Sequence, residues 1–96
     1  MRVTLEQSGG FAGLMITKTI DTQNLSPSEA KELEEMVQSA NFFQLISVVE
    51  AFPQPDRFGY VLTVEMEGRT HSIEMSETNM PESVRSVVKW VQARSR

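Results

Sequence analysis

The sequence predicts an α+β domain in which two antiparallel hairpins form a roughly four-stranded sheet, with two helices packed on one face in the order ββαββα. Four segments alternate apolar and polar residues with the period of two that is typical of half-buried strands. Two further segments, one after each predicted hairpin, carry apolar residues at helical spacing. The 96 residues show no internal boundary and no low-complexity segment, so we expect a single domain over residues 1–96.

The first predicted hairpin lies at the start of the chain. Val3 and Leu5 alternate with polar residues in its first strand. The connection Ser8–Gly13 is a predicted six-residue loop, which is longer than a tight turn needs. The apolar positions of its second strand are Leu14, Ile16 and Ile20.

The loop holds three glycines within five positions, around a single large aromatic residue, Phe11. Glycine reaches positive φ without a Cβ clash, so the run bends the backbone sharply. The turn chemistry of such a loop does not require a phenylalanine. Phe11 therefore either folds back onto the core or stands out for a partner to bury.

The first helix is predicted from a capping box. Ser26 is the expected N-cap, Pro27 takes the first helical position, and Glu29 completes the box. Asn41 is the expected stop. The apolar stripe between them consists of Ala30, Leu33, Val37 and Ala40.

The residues after this helix connect it to the second hairpin. Phe42, Phe43 and Leu45 are expected to fill the space between helix and sheet. The stretch from Val48 to Phe52 is a candidate short strand, and Pro53–Asp56 is expected to be a rigid loop.

The second hairpin gives the clearest structural signal, because Glu67-Gly68 suits a two-residue turn. That turn pairs Val64 with His71 and Leu62 with Ile73 on an apolar face. The opposite face carries the pairs Val61 with Glu74, Thr63 with Ser72 and Glu65 with Thr70. One face is thus apolar and the other mixed, as expected for a sheet that is covered on one side.

The last helix is predicted to open at Pro81 and Glu82. Trp90 flanks its buried stripe. β-Branched residues form helices weakly, so this helix depends on docking against the sheet. The stripe consists of Val84, Val87, Val88 and Val91.

Composition excludes several classes of function. The chain has no cysteine, which rules out disulfides and thiolate metal sites, and its net charge of −4 argues against binding to nucleic-acid phosphates. No apolar run approaches the roughly 20 residues of a membrane span, and the start of the chain lacks the apolar region of a signal peptide. We therefore expect a cytoplasmic protein that binds neither nucleic acid nor membrane.

The sequence shows no catalytic constellation. His71 is the one histidine, and its predicted position at the rim of the apolar face favours a partly buried structural role. A metal site needs two to four converging ligands, and a serine nucleophile needs a base and an orienting carboxylate. Glu32, Glu34 and Glu35 are typical of a solvated helix face. We therefore expect no enzymatic activity, no metal and no cofactor.

The segment from Val3 to Leu14 resembles the start of the emfourin family, the proteinaceous inhibitors of protealysin. The resemblance is most specific in the run Ser-Gly-Gly-Phe-Ala-Gly of residues 8–13. Further similarities are Phe42-Phe43 after the first helix, the Pro-Gln-Pro-Asp segment at residues 53–56, and the Glu-Gly hairpin ahead of His71.

The resemblance implies a small inhibitor that blocks the active-site cleft of a thermolysin-like zinc metalloprotease and is a monomer when free. The zinc would belong to the protease. The family motif indicates the partner-binding residues, together with the argument that Phe11 can stand out from its loop for a partner to bury. Asp56 and Arg57 join them if both loops lie at one end of the domain. The residues of the first loop are Ser8, Gly9, Gly10, Phe11, Ala12 and Gly13.

Two other classes of function remain open. The protein could be a structural or assembly module that pairs with a partner, or with itself, through a sheet edge or through the open face around Val61 and Thr63. It could also bind a small molecule between sheet and helices, although the sequence offers no converging polar groups for this role.

Overall fold

The computed structural model describes residues 1–9, 14–45, 58–76 and 79–94. Four strands form one antiparallel sheet in the order β2-β1-β3-β4, and two helices cover one of its faces. The predicted α+β class is confirmed. The strands are β1 (Arg2–Gly9), β2 (Leu14–Asp21), β3 (Phe58–Met66) and β4 (Arg69–Ser76), and the helices are α1 (Pro27–Ser39) and α2 (Glu82–Arg94).

The first hairpin is confirmed, but its loop is shorter than expected. β1 pairs with β2 without interruption, from Arg2 with Asp21 to Gly9 with Leu14. Ser8 and Gly9 are therefore strand residues, and the connection comprises residues 10–13. The strand continues to Gly9 because β1 is a central strand, hydrogen-bonded to β3 as well as to β2 at these positions.

The second hairpin has the predicted turn and register. Glu67 and Gly68 both adopt positive φ, at 52° and 77°, as a two-residue type I′ turn requires. The pairing then runs from Met66 with Arg69 to Gly59 with Ser76. The turn thus sets which side chains of β3 and β4 face the helices.

The start of α1 has the predicted N-cap, and the Glu29 carboxylate bonds to the Ser26 hydroxyl. The Ser26 Oγ accepts a hydrogen bond from the Glu29 amide at 3.3 Å and donates one to the Glu29 carboxylate at 3.1 Å. Pro27 occupies the first helical turn. After the helix, Asn41 adopts the left-handed conformation with φ of 50°, which turns the chain toward the sheet.

The core lies between the sheet and the two helices. The expected stripe of α2 is buried, and so is that of α1 except for Ala30, which is only half-buried. Phe42 joins these residues in the core. Trp90 is also buried, at 6% exposure, so it belongs to the core and does not merely flank the valine stripe. The central strands contribute Val3, Leu5, Leu62 and Val64.

Several expectations fall on parts of the chain outside the described residues. These are the short strand over residues 48–52 and the rigid loop over residues 53–56. Neither described helix is long and apolar enough to cross a membrane.

Candidate protein-binding surface

The strand order brings together the two chain segments that the sequence singled out. Gly9, the last residue of β1, pairs with Leu14 of β2 on one side and with Phe58 of β3 on the other. We call this end of the sheet, defined by Gly9, Leu14 and Phe58, the loop end. The opposite end, which carries Glu67 and Gly68, is the turn end. The connection 10–13 and the segment that precedes β3 both reach the sheet at the loop end.

The predicted contact residues divide into two groups. Ser8 is exposed on the face of the sheet that the helices leave open, and Gly9 ends the strand beside it. Gly10, Phe11, Ala12 and Gly13 lie outside the described residues, as do Asp56 and Arg57. Arg57 directly precedes Phe58 in the sequence, and Phe58 pairs with Gly9.

A hydrogen bond joins β1, near the loop end, to α2. The Gln92 Nε2 donates to the Gln7 Oε1 at 3.2 Å, and both side chains are partly buried. Gln7 faces the helices two residues before Gly9. The bond therefore joins the end of β1 to the C-terminal half of α2, close to the loop end.

Ile16 adds an apolar side chain to this end of the molecule. Ile16 is a large hydrophobic residue, and its side chain is 44% exposed among the described residues. It lies on the same face of β2 as the buried Ile20, opposite Gln7 of β1. The alternating pattern predicts this face correctly, but it does not show how far the helix layer extends toward the loop end.

The open face of the sheet is polar. One row of hydroxyl groups crosses all four strands, with the Thr63 Oγ1 at 2.7 Å from the Ser72 Oγ and the Thr4 Oγ1 at 3.5 Å from the Thr19 Oγ1. Hydroxyl groups that hydrogen-bond to one another leave little apolar area for a partner to bury.

Charged residues continue this polar surface next to the hydroxyl row. The Arg2 guanidinium lies 3.7 Å from the Asp21 carboxylate and 3.6 Å from the Glu65 carboxylate. A shallow groove of about 620 Å³ runs beside these groups. Surface ion pairs of this kind contribute little, typically about 0–1 kcal/mol each.

His71 lies at the turn end in a structural setting. It is half-buried, and its Nε2 is 2.7 Å from the Leu45 carbonyl oxygen. Its ring centroid is 5.5 Å from that of Phe42 and 6.0 Å from that of Phe43. The Arg69 guanidinium stacks 4.5 Å above the Phe43 ring. The residues after α1 that the sequence predicts will fill the space between helix and sheet thus form an aromatic cluster, which packs the chain against β4.

The described residues provide no metal centre. No group of three or more His, Asp or Glu side chains within residues 1–9, 14–45, 58–76 and 79–94 is arranged to hold a metal ion.

A family comparison agrees with this description. The sequence model of the emfourin family matches residues 5–92. The chain belongs to the emfourin family. The match covers both hairpins and both helices, so the resemblance at the first hairpin extends through the whole sheet.

A solved structure shares the fold. The chain is similar to emfourin (M4in) from Serratia proteamaculans, described as an M4 family peptidase inhibitor, with a TM-score of 0.53 and 14% sequence identity. The similarity covers 99% of this chain and 89% of that one. At this level of identity the comparison establishes the fold. No match is found among curated proteins.

Proposed function

We propose that this emfourin-family protein inhibits a thermolysin-like metalloprotease, and that its loop end blocks the active-site cleft. The observation that carries the proposal is the pairing of Gly9 with Leu14 and with Phe58, which brings the two ends of the connection 10–13 next to the start of β3. The match of the chain to the emfourin family supports the proposal. The solved structure of the same fold is described as an M4 family peptidase inhibitor, which supports this class of target.

The physical basis of the proposed inhibition is a rigid support for a short glycine-rich connection. β1 and β2 pair at eight consecutive positions, β1 is also paired to β3, and Gln92 holds Gln7. A fixed support lowers the conformational entropy lost on binding. Phe11 then provides a large apolar group for a pocket beside the scissile-bond position of the protease.

The test is an inhibition assay against a thermolysin-like protease with the wild type and Phe11→Ala. Burial of a phenylalanine contributes about 1.5–3 kcal/mol, so we expect the inhibition constant of Phe11→Ala to rise by roughly ten- to a hundredfold. The matched control is Phe43→Ala, which deletes the same ring at the turn end. Its inhibition constant should stay within about twofold of the wild type at temperatures where the variant is folded.

The outcomes of this assay separate the parts of the proposal. Absence of inhibition by the wild type contradicts the proposed function. Full inhibition by Phe11→Ala assigns the contact to other residues of the loop end. An equal loss in Phe43→Ala contradicts the assignment of the contact to the loop end.

The alternative of an assembly module that binds through the open face has less support. Val61 and Thr63 lie on that face, but a hydroxyl row and charged groups surround them. Sedimentation of the purified protein tests the alternative, because a dimer dissociated by Val61→Glu would favour it. We expect a monomer.

A further inference from the structure

Within the described sheet, β2 is an edge strand with one unpaired side. It is the first strand in the sheet order, and the described sheet pairs it only with β1. In an antiparallel edge strand, every second residue directs its N–H and C=O groups away from the sheet. β2 has eight residues, so this open side is roughly 27 Å long.

The sequence of β2 does little to protect this edge. Ile16, Thr17, Thr19 and Ile20 are β-branched, and Lys18 is the single charged residue before Asp21. Its register with β1 is continuous, so no bulge twists the edge away, and the strand contains no proline. Natural edge strands commonly use charges, prolines or bulges to prevent pairing with another chain.

The other edge strand, β4, is different. It carries Arg69, His71 and Glu74, and the chain that follows α1 packs against its beginning. The Leu45 carbonyl oxygen lies 2.7 Å from the His71 Nε2, and the Phe43 ring lies below the Arg69 guanidinium. The two edge strands carry two formal charges each, so the difference between them is the side-chain packing on the beginning of β4. This packing favours β2 as the edge that accepts a further strand.

We propose that β2 binds an extended segment of the inhibited protease as an additional strand of the sheet, which rests on the proposed function. The segment has an apolar side chain beside Ile16 and a carboxylate beside Lys18. β2 begins at Leu14, directly after the predicted contact residues 10–13, so a protease at the loop end reaches this edge without a second binding site. This mode of recognition uses backbone hydrogen bonds for affinity and neighbouring side chains for specificity.

Lys18 disfavours pairing with a second copy of this chain when the two-fold axis lies at or next to Lys18. A two-fold axis through Lys18 places the two lysines directly opposite each other, and an axis at Thr17 leaves them as diagonal neighbours. The net charge of −4 adds to the repulsion between copies. A foreign strand with a carboxylate at this position attracts Lys18 instead.

Amide hydrogen exchange of the full chain, free and bound to a thermolysin-like protease, tests the proposal. We expect about half of the amides of residues 14–21 to exchange at least about tenfold more slowly in the complex, because the outward-directed N–H groups gain partners. The outward-directed amides of residues 69–76 in β4 serve as the internal control and should be unchanged, because they exchange without global unfolding.

A charge reversal tests the chemistry of the added strand. Lys18→Glu should weaken inhibition about tenfold. Lys31→Glu, on the exposed surface of α1, changes the net charge equally and should have no comparable effect. Unchanged inhibition by Lys18→Glu overturns the assignment of an acidic strand.

The remaining outcomes are distinguishable. A complex that inhibits without any slowing at residues 14–21 overturns the edge-strand inference and leaves the proposed function intact. Absence of both binding and inhibition overturns the proposed function and, with it, the edge-strand inference. Slow exchange at residues 14–21 in the free protein that is lost on dilution identifies a second copy as the occupant and also overturns the inference.

Discussion

The two hairpins of the sheet are closed in different ways. β3 and β4 are joined by two residues, Glu67 and Gly68, whose positive φ values match the twist of the strands. β1 and β2 pair just as regularly, up to Gly9 with Leu14, yet four residues connect them. Two residues are enough to close such a pair. The additional residues in the first hairpin, Phe11 among them, are therefore not needed to form the sheet.

The side-chain packing around the two hairpin ends also differs, and it is denser at the turn end. At the turn end, Phe42, Phe43 and His71 pack on one another, and Arg69 stacks on Phe43. At the loop end, Ile16 remains 44% exposed. Aromatic side chains at the turn end stabilise the fold. The apolar side chain of Ile16 at the loop end has no comparable packing among the described residues.

The largest expected effect comes from the core that the two hairpins share. Leu62 of β3 is fully buried and lies between Leu5 of the first hairpin and Ile73 of the second. Leu62→Ala should lower the free energy of unfolding by about 2–5 kcal/mol, because it leaves a cavity. Urea denaturation followed by circular dichroism and by Trp90 fluorescence measures this. Non-coincident transitions would show that the hairpins unfold separately, contrary to a shared core.

The second prediction removes the difference between the hairpins. Replacement of residues 10–13 by Asn-Gly gives the first hairpin a two-residue turn between Gly9 and Leu14. We expect the free energy of unfolding to stay within about 1 kcal/mol of the wild type. Inhibition should weaken by at least the roughly ten- to hundredfold expected from loss of Phe11. Thermal denaturation and the inhibition assay measure the two quantities, and a loss of folding would mean that the four residues are structural.

The third prediction concerns the Glu67-Gly68 turn, which joins β3 to β4 with two residues. Gly68 has φ of 77°, and a Cβ added there meets no atom within 4 Å. Gly68→Ala should therefore lower the free energy of unfolding through backbone strain alone, by about 1 kcal/mol. The inhibition constant should be unchanged, because the turn end faces away from the proposed contact. A weaker inhibitor of unchanged stability would place part of the contact at the turn end.

Local signals in the sequence predicted most of this fold. The capping box located the start of α1, and Glu67-Gly68 determined the register of β3 with β4, because both depend on neighbouring residues. The order of the strands depends on which hairpin edges meet, and no local pattern records that choice. For this reason no sequence pattern predicts whether Asp56 and Arg57 approach the first loop. The pairing of Gly9 with Phe58 shows that the end of β1 lies beside the start of β3.

The candidate site was predicted less completely than the fold. The glycine run concealed the last two residues of β1, since glycine suggests a turn even where a central strand pairs on both sides. The alternating pattern predicts that Ile16 faces the helices, but its 44% exposure depends on where the helix layer ends. The role of Phe11 stays a prediction from the loop and the family motif.

The smallest expected effect is a gain in stability at the turn end. Glu67 has φ of 52°, in the left-handed region that a glutamate side chain disfavours and asparagine tolerates. Asn-Gly is the preferred pair for this turn, so Glu67→Asn should raise the free energy of unfolding by roughly 0.5 kcal/mol. Thermal denaturation measures the gain against Glu67→Ala, which removes the same carboxylate without relieving the backbone. Equal stability of the two variants would mean that the lost charge, and not the backbone conformation, determines the effect. Neither variant should alter inhibition, because Glu67 lies at the turn end, away from the proposed contact.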